Sequence, residues 1–332
     1  MIWRLANLPK FKLFTSPTPL ERAERLGREL GANLYIKRDD VMELALGGNK
    51  VRKLEYLVGD ALSKGCDTLV TTGAYHSNHA RLTAAAARKA GMKAYLLLTP
   101  PGEYRVQGNA LLDALLGAEV RLYKHREGVE EALEELGEEL KKQGRKPYII
   151  PAGGASPIGV MGYAEAAHEI LMQMKELGVK PKYVVHAAGT GATQAGLILG
   201  FKMLGADDIQ VVGISVGKGS KAATEKVADL VNKAAEILRV DVRVRPEDIT
   251  VIDKYVGGGY GVVNKETVEA IRKAAQYEAL LFDPVYTGKG IWGFMDMAER
   301  GEFGKGSDVV FIHTGGEPIL FQRSEELTQY LL

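Results

Sequence analysis

Short β-branched or apolar runs recur along the chain, separated by stretches whose apolar positions repeat at helical spacing. The runs predict strands at Asn33–Arg38, Thr68–Thr72, Ala94–Leu98, Glu119–Tyr123, Tyr148–Pro151, Tyr183–Ala187, Val211–Ser215 and Asp308–His313. Between them, helices are predicted over Lys50–Lys64, Asn78–Gly91, Gly128–Gln143, Gly159–Leu177, Thr193–Gly205, Ala222–Leu238 and Lys265–Glu278. Several of these patterns stop at glycine, as at Gly91 and Gly205, the residue that best tolerates the left-handed turn closing a helix. Alternation of this kind belongs to βαβ units and parallel sheets. Two sheets are expected rather than one with so many parallel strands. The Gly- and Pro-rich segment Pro151–Gly162 gives the chain a place to pass between lobes. In open parallel sheets ligands bind beyond the carboxyl ends of strands, so the loops that follow strands carry the information.

Composition removes several function classes. The 332 residues are 46% hydrophobic and 26% charged, enough to bury a large core across two α/β lobes. Lys plus Arg (43) and Asp plus Glu (42) nearly cancel, which favours neither nucleic acid nor an anionic membrane as partner. No apolar run approaches the ~18 residues of a membrane span, and the start does not read as a signal peptide. A single cysteine, Cys66, forbids an internal disulfide and suits a reducing cytoplasm. The charged stretch Arg126–Lys146 reads as one solvated helix laced with Glu–Lys pairs.

Four segments hold candidate chemistry. In Gly47–Leu57, two glycines precede Lys50 at a loop-to-helix junction, where an amine can enter a cleft and condense with an aldehyde; a flexible turn with three solvated cations is the competing reading. In Gly189–Gly196, a loop between an apolar strand and a helix offers backbone N–H groups, Thr190 and Thr193 to an anion. Its spacing is G-x-G-x4-G rather than the dinucleotide G-x-G-x-x-G. The following strand runs into Gly217-Lys218-Gly219 where a ribose-binding carboxylate would stand, so a monophosphate is the better fit. The segment His76-Ser77-Asn78-His79 follows a strand and could simply cap a helix; no carboxylate accompanies its histidines, and no metal is expected. Finally, Gly257–Gly261 with Tyr260, Asp283–Lys289 with Tyr286, and His313–Gly316 place aromatic and hydroxyl groups among glycines in the C-terminal part.

Taken in order, YIKRDD (Tyr35–Asp40), GGNKVRKLEYL, HSNH, GTGATQAG, DPVYTGK and HTGG resemble the 1-aminocyclopropane-1-carboxylate deaminase and D-cysteine desulfhydrase family over nearly the whole chain. These are fold-type II pyridoxal-phosphate enzymes, related to the tryptophan synthase β subunit. The resemblance implies two open twisted parallel-sheet domains with pyridoxal 5'-phosphate in the cleft between them. Residues 43–159 would form a smaller inserted domain, and residues 1–42 with 160–332 the larger one. It further implies that Lys50 carries the cofactor as a Schiff base and moves protons. Asn78 would meet the cofactor's ring hydroxyl, and Gly189, Thr190, Gly191, Ala192 and Thr193 its phosphate. Ser77, Tyr260 and Tyr286 would face the substrate as catalytic groups, with Asn78, His79, His76 and Thr287 also contacting it. Lys53, one turn beyond Lys50, is expected to contribute only modestly. A small amino acid is the implied substrate and a homodimer the implied assembly.

Two positions separate the family's branches. Ring-opening members resemble one another in a glutamate after the DPVY tyrosine and a leucine in HxGG, whereas this chain has Thr287 and Thr314. A hydroxyl near the pyridine nitrogen, from Thr314, accepts a ring proton less well than a carboxylate. This pair resembles the desulfhydrase branch, whose reaction is D-cysteine plus water giving pyruvate, hydrogen sulfide and ammonia. L-Cysteate, 3-chloroalanine, 2,3-diaminopropionate and the cyclopropane amino acid are the alternatives within the family. A non-catalytic pyridoxal-phosphate carrier is the alternative outside it, and it would need neither Ser77 nor the two tyrosines.

Overall fold

The computed structural model describes residues 2–102, 104–124, 127–217 and 219–332. Among the described residues ten strands form: β1 Leu20–Arg22, β2 Asn33–Arg38, β3 Thr68–Ala74, β4 Lys93–Thr99, β5 Glu119–Leu122, β6 Pro147–Ile150, β7 Tyr183–Ala188, β8 Gln210–Ser215, β9 Thr250–Ile252 and β10 Asp308–His313. They make two sheets, ordered β1-β2-β10-β7-β8-β9 and β5-β4-β3-β6. All eight strands read from the sequence are present. The edges β1 and β9 were not read; each is three residues long, too short for an alternation to register. The four-stranded sheet is parallel throughout. The larger sheet is mixed, because β1 runs antiparallel to β2 while every other pair is parallel.

Parallel strands covered on both faces must be apolar on both faces. That is what β10 and β7 show, with Val309, Val310, Phe311, Ile312, Val184 and Val185 all fully buried. In the larger sheet the chain moves from β7 outward through β8 to β9, while β10 lies on β7's other side. In the smaller sheet it moves from β3 through β4 to β5, and β6 returns to β3's other side. Each sheet therefore has a switch point, β7/β10 in one and β3/β6 in the other. Loops leaving these strands diverge there and open a crevice.

The helix Lys50–Ser63 joins the two halves. Val51, Leu54, Leu57 and Val58 are fully buried, so truncating Leu54 to alanine would cost roughly 2–5 kcal/mol. Its Arg52 is buried as well. Nε and Nη2 meet Asp39 at 3.0 and 2.8 Å, and Nη1 meets Glu169 at 2.9 Å. Burial alone would raise the Glu169 carboxyl, but Arg52 and Lys37 hold it down at about 2. This buried network ties the helix to the end of β2 and to the helix Pro157–Glu176, which fixes the opposite face of the helix. The charged stretch forms the helix Val129–Lys142; Arg126, like Lys218, lies outside the described residues. No helix among the described residues is long and apolar enough to cross a membrane.

Candidate active site

A cavity of about 350 Å³ lies where the two switch points face each other. Its walls come from the carboxyl ends of strands: Gly73 and Ala74 at the end of β3 and Ser77 after it, Gly153 after β6, Gly189–Gly191 after β7, Gly217 after β8, and Thr314 after β10. Lys50 reaches it from a strained approach loop in which Ala45, Leu46, Gly47 and Gly48 all have positive φ. A Cβ on Gly47 would sit 2.0 Å from the Asp40 carbonyl, and one on Gly48 would sit 3.0 Å from that of Thr314. Only glycine lets this loop press so close to its neighbours. The Asn49 N–H donates to the Thr314 carbonyl at 3.1 Å, joining the lysine loop to the end of β10.

The Lys50 amine donates to Asn49 Oδ1 at 3.1 Å, while Asn49 Nδ2 donates to Thr193 Oγ1 at 3.1 Å. One side chain thus links the lysine to the glycine-rich loop. Burial lowers Lys50 from 10.5 to about 8, so at pH 7 its neutral, nucleophilic form is enriched about 300-fold over an ordinary lysine. Aldehyde capture by the cofactor-free protein should accelerate with pH and level off above about pH 8; a rate still climbing steeply at pH 10 would contradict this environment.

One turn along the same helix, Lys53 is 1% exposed and its amine has one partner among the described residues, the Gly153 carbonyl at 3.3 Å. Burial, then the neighbouring Lys50, pushes it well below the ordinary lysine range. Protonation of that amine therefore calls for an anion beside it. The adjacent loop offers what an anion needs: hydroxyls from Thr190 and Thr193, and the N-terminus of the helix Ala192–Met203. The donor set fits a phosphate monoester. Sequence reading assigned Lys53 a modest part, and its burial revises that upward.

Two histidines also line the cavity. Thr71 Oγ1 donates to the Ile150 carbonyl at 2.8 Å, so at 2.9 Å it accepts from His79 Nε2–H, leaving the Nδ1 lone pair of His79 free. His186 Nδ1–H donates to the Ala187 carbonyl at 2.9 Å. Neither His79 Nδ1 nor His186 Nε2 has a partner among the described residues. Both rings are held neutral by burial, with His186 lowered to about 4.

Ser77 caps the helix Asn78–Lys89, accepting from the Ala80 N–H at 3.2 Å, so its own hydroxyl proton remains free to donate. Across the cavity the Tyr260 and Tyr286 hydroxyls hydrogen-bond each other. Tyr286 is set by Asp283, whose carboxylate accepts from the N–H groups of Val285, Tyr286 and Thr287 at 2.8–2.9 Å. Tyr260 is set by Lys289, which donates to the Val256 and Gly259 carbonyls at 2.6 and 2.7 Å.

The structure thus gathers Lys50, Ser77, Asn78, His79, Gly189, Thr190, Gly191, Thr193, Tyr260, Tyr286 and Thr314 around one cavity. Three residues expected there stand back from it. Thr287 is fully buried behind the wall, its hydroxyl donating to Asp283 Oδ1 at 2.8 Å and accepting from the Asp283 N–H. The His76 ring packs edge-on against Tyr75 instead of facing the cavity. Ala192 is fully buried in the apolar cluster that also holds Val160 and Val227. Sequence reading missed Asn49, Lys53 and His186 as cavity residues.

A family model described as "Pyridoxal-phosphate dependent enzyme" matches residues 11–315. The chain belongs to that family. A D-cysteine desulfhydrase of Salmonella typhi is 41% identical over 96% of this chain and 97% of its own length. A Pyrococcus abyssi protein that carries a provisional 1-aminocyclopropane-1-carboxylate deaminase name is 46% identical over 99% of this chain and 98% of its own. A crystal structure of an ACC deaminase homologue superposes with a TM-score of 0.92 at 46% identity, covering 99% of this chain and 98% of that one. The processed threonine deaminase isoform 2 of Solanum lycopersicum, at 19% identity and a TM-score of 0.69, shares the fold. The cofactor is therefore pyridoxal phosphate, and the cavity's buried lysine and loop donors fit it. Exchanging Lys53 for methionine should weaken cofactor binding about tenfold or more, because a charge-assisted bond is lost. The cofactor-free protein should melt no lower, because a buried amine that meets only the long 3.3 Å bond to Gly153 among the described residues gives way to an apolar side chain. Titration of the cofactor together with melting of both forms checks the opposite signs.

Proposed function

We propose that this enzyme eliminates hydrogen sulfide from D-cysteine, converting it with water to pyruvate, hydrogen sulfide and ammonia. The observation that carries the reading is the make-up of the cavity wall: among the described residues it contains no aspartate or glutamate. Pyridoxal phosphate, when bound, supplies an electron sink for charge at the substrate's α-carbon, and that sink is strongest when a carboxylate holds a proton on the ring nitrogen. A cavity offering the Thr314 hydroxyl in place of a carboxylate suits a reaction whose leaving group takes the electrons itself.

The chain's own groups fit that task. Lys50, with its lowered affinity for protons, attaches the cofactor and accepts the α-proton. N–H groups at the start of the helix Asn78–Lys89, together with the Ser77 hydroxyl, hold the substrate carboxylate. Tyr260 and Tyr286 have two phenolic protons, one of which bridges the pair while the other is free for a departing thiolate. Two neutral imidazoles on the cavity wall add no charge of their own.

Ring opening of 1-aminocyclopropane-1-carboxylate is the second reading, favoured by the name of the Pyrococcus relative. The carboxylate-free wall speaks against it. The proposal extends to a homodimer, in which exposed apolar side chains such as Val106, Leu115 and Phe321, at 61%, 74% and 78%, are available to be covered. A monomer by light scattering would remove that extension. The decisive assay follows sulfide and pyruvate from D- and L-cysteine separately. Stoichiometric release from D-cysteine supports the proposal, and release from L-cysteine alone would overturn its stereochemistry.

A further inference from the structure

Asn78 lines the cavity at the first turn of its helix, and an asparagine amide can present either a donor or an acceptor. Which one it presents is decided from behind. Asn109, fully buried at the start of the helix Asn109–Leu115, donates from Nδ2 to the His76 carbonyl at 2.8 Å. A backbone carbonyl only accepts, so this bond fixes which end of the Asn109 amide faces the motif. The second hydrogen of the same Nδ2 goes to Asn78 Oδ1 at 2.7 Å. The Asn78 oxygen is thereby turned toward Asn109, and its NH2 group is left to face the cavity. Asn109 Oδ1 has no partner among the described residues, so nothing pulls this amide the other way.

We propose that Asn109 is a positioning residue that makes Asn78 a dedicated hydrogen-bond donor to the cofactor's ring oxygen. The proposal rests on the reading that Asn78 contacts that oxygen. A donor there stabilises an oxygen anion, whereas the flipped amide would set an oxygen against an oxygen. Asn109 also holds the His76 carbonyl, so one side chain fixes the backbone just before Ser77 and the amide just after it.

The test is a double-mutant cycle on the full-length protein, with pyridoxal phosphate itself as the probe. Asn109→Asp is nearly isosteric but puts an acceptor where both donated bonds originate, which draws the Asn78 NH2 backward. Cofactor dissociation constants are measured by absorbance titration for the parent, Asn109→Asp, Asn78→Ala and the double variant. The pH profile of the bound chromophore and the melting temperature of the cofactor-free form are recorded alongside. Asn109→Asp is expected to weaken cofactor binding about tenfold or more. It should also move the chromophore's protonation midpoint upward, because the ring-oxygen anion loses its donor. In the Asn78→Ala background the same exchange should do almost nothing. A purely structural role would lower the melting temperature and leave the midpoint in place. An unchanged dissociation constant and pH profile in Asn109→Asp, with Asn78→Ala impaired, would overturn this inference alone. If Asn78→Ala binds cofactor normally, the underlying assignment of Asn78 fails and takes the inference with it. Should Asn109→Asp not fold, Asn109→Ala runs the same cycle, and an additive loss there would overturn the proposal. Leu111→Ala, on the exposed side of the same helix, serves as the control for substitution of that helix.

Discussion

Exchange of Lys50 for alanine removes turnover and the visible absorbance of the lysine-bound cofactor together. Turnover is expected to fall by at least about 10³-fold, since covalent attachment and proton transfer depend on the same amine. The only other lysine on the cavity wall, among the described residues, is Lys53. It points from the same helix, one turn on, but its amine donates to the Gly153 carbonyl, beside the loop that suits an anion. It cannot serve both as the phosphate's cation and as the nucleophile. Borohydride reduction followed by peptide mass analysis checks the assignment. Label on the peptide containing Lys50 in the parent, and none in Lys50→Ala, is the expected result. Label that persists in the variant would move the attachment to Lys53.

The β-strands were legible because parallel strands buried on both faces are plain apolar runs, as in Tyr183–Ala188 and Asp308–His313. The helix Thr287–Glu299 was not read. It begins in Thr-Gly-Lys-Gly and carries a third glycine at 293, a composition that suggests loop. The structure accounts for those glycines by close packing: a Cβ at Gly288 would stand 2.6 Å from the Asp283 carbonyl, and one at Gly293 2.8 Å from the Tyr255 ring. Close approach between elements leaves no local trace in a sequence.

Within the site, the motif order brought the right loops together but not the direction of each side chain. Thr287 follows Tyr286 directly, yet its hydroxyl is turned back to Asp283. Lys53 lies three residues from Lys50, a spacing that shares a helix face, so its place in the cavity was available from periodicity alone. His186 and Asn109 had no such signal. One lies within a buried strand, and the other acts through a hydrogen bond to a residue 31 positions away.

D-Cysteine and 1-aminocyclopropane-1-carboxylate should be separated by about a thousandfold in turnover efficiency, equivalent to ~4 kcal/mol at the transition state. The cyclopropane substrate has no leaving group at its β-carbon, so breaking its carbon–carbon bond drives electrons into the cofactor ring. A carboxylate beside the ring nitrogen would stabilise that charge shift, and the cavity wall among the described residues has none. Thiolate departure carries the electrons away on sulfur and asks less of the ring. Exchanging Thr287 for glutamate and Thr314 for leucine together should narrow the gap, but the structure attaches a cost. Residue 287 is fully buried against Asp283, so a second carboxylate there either swings into the cavity or repels the first. The double variant is therefore expected to melt lower than the parent and to lose most of its sulfide release while gaining ring opening. Thr314→Leu alone, which adds no charge, should lower sulfide release without creating ring opening. Ammonia release from the cyclopropane substrate by the parent protein, at rates comparable to those with D-cysteine, would show that the carboxylate-free wall does not set the choice.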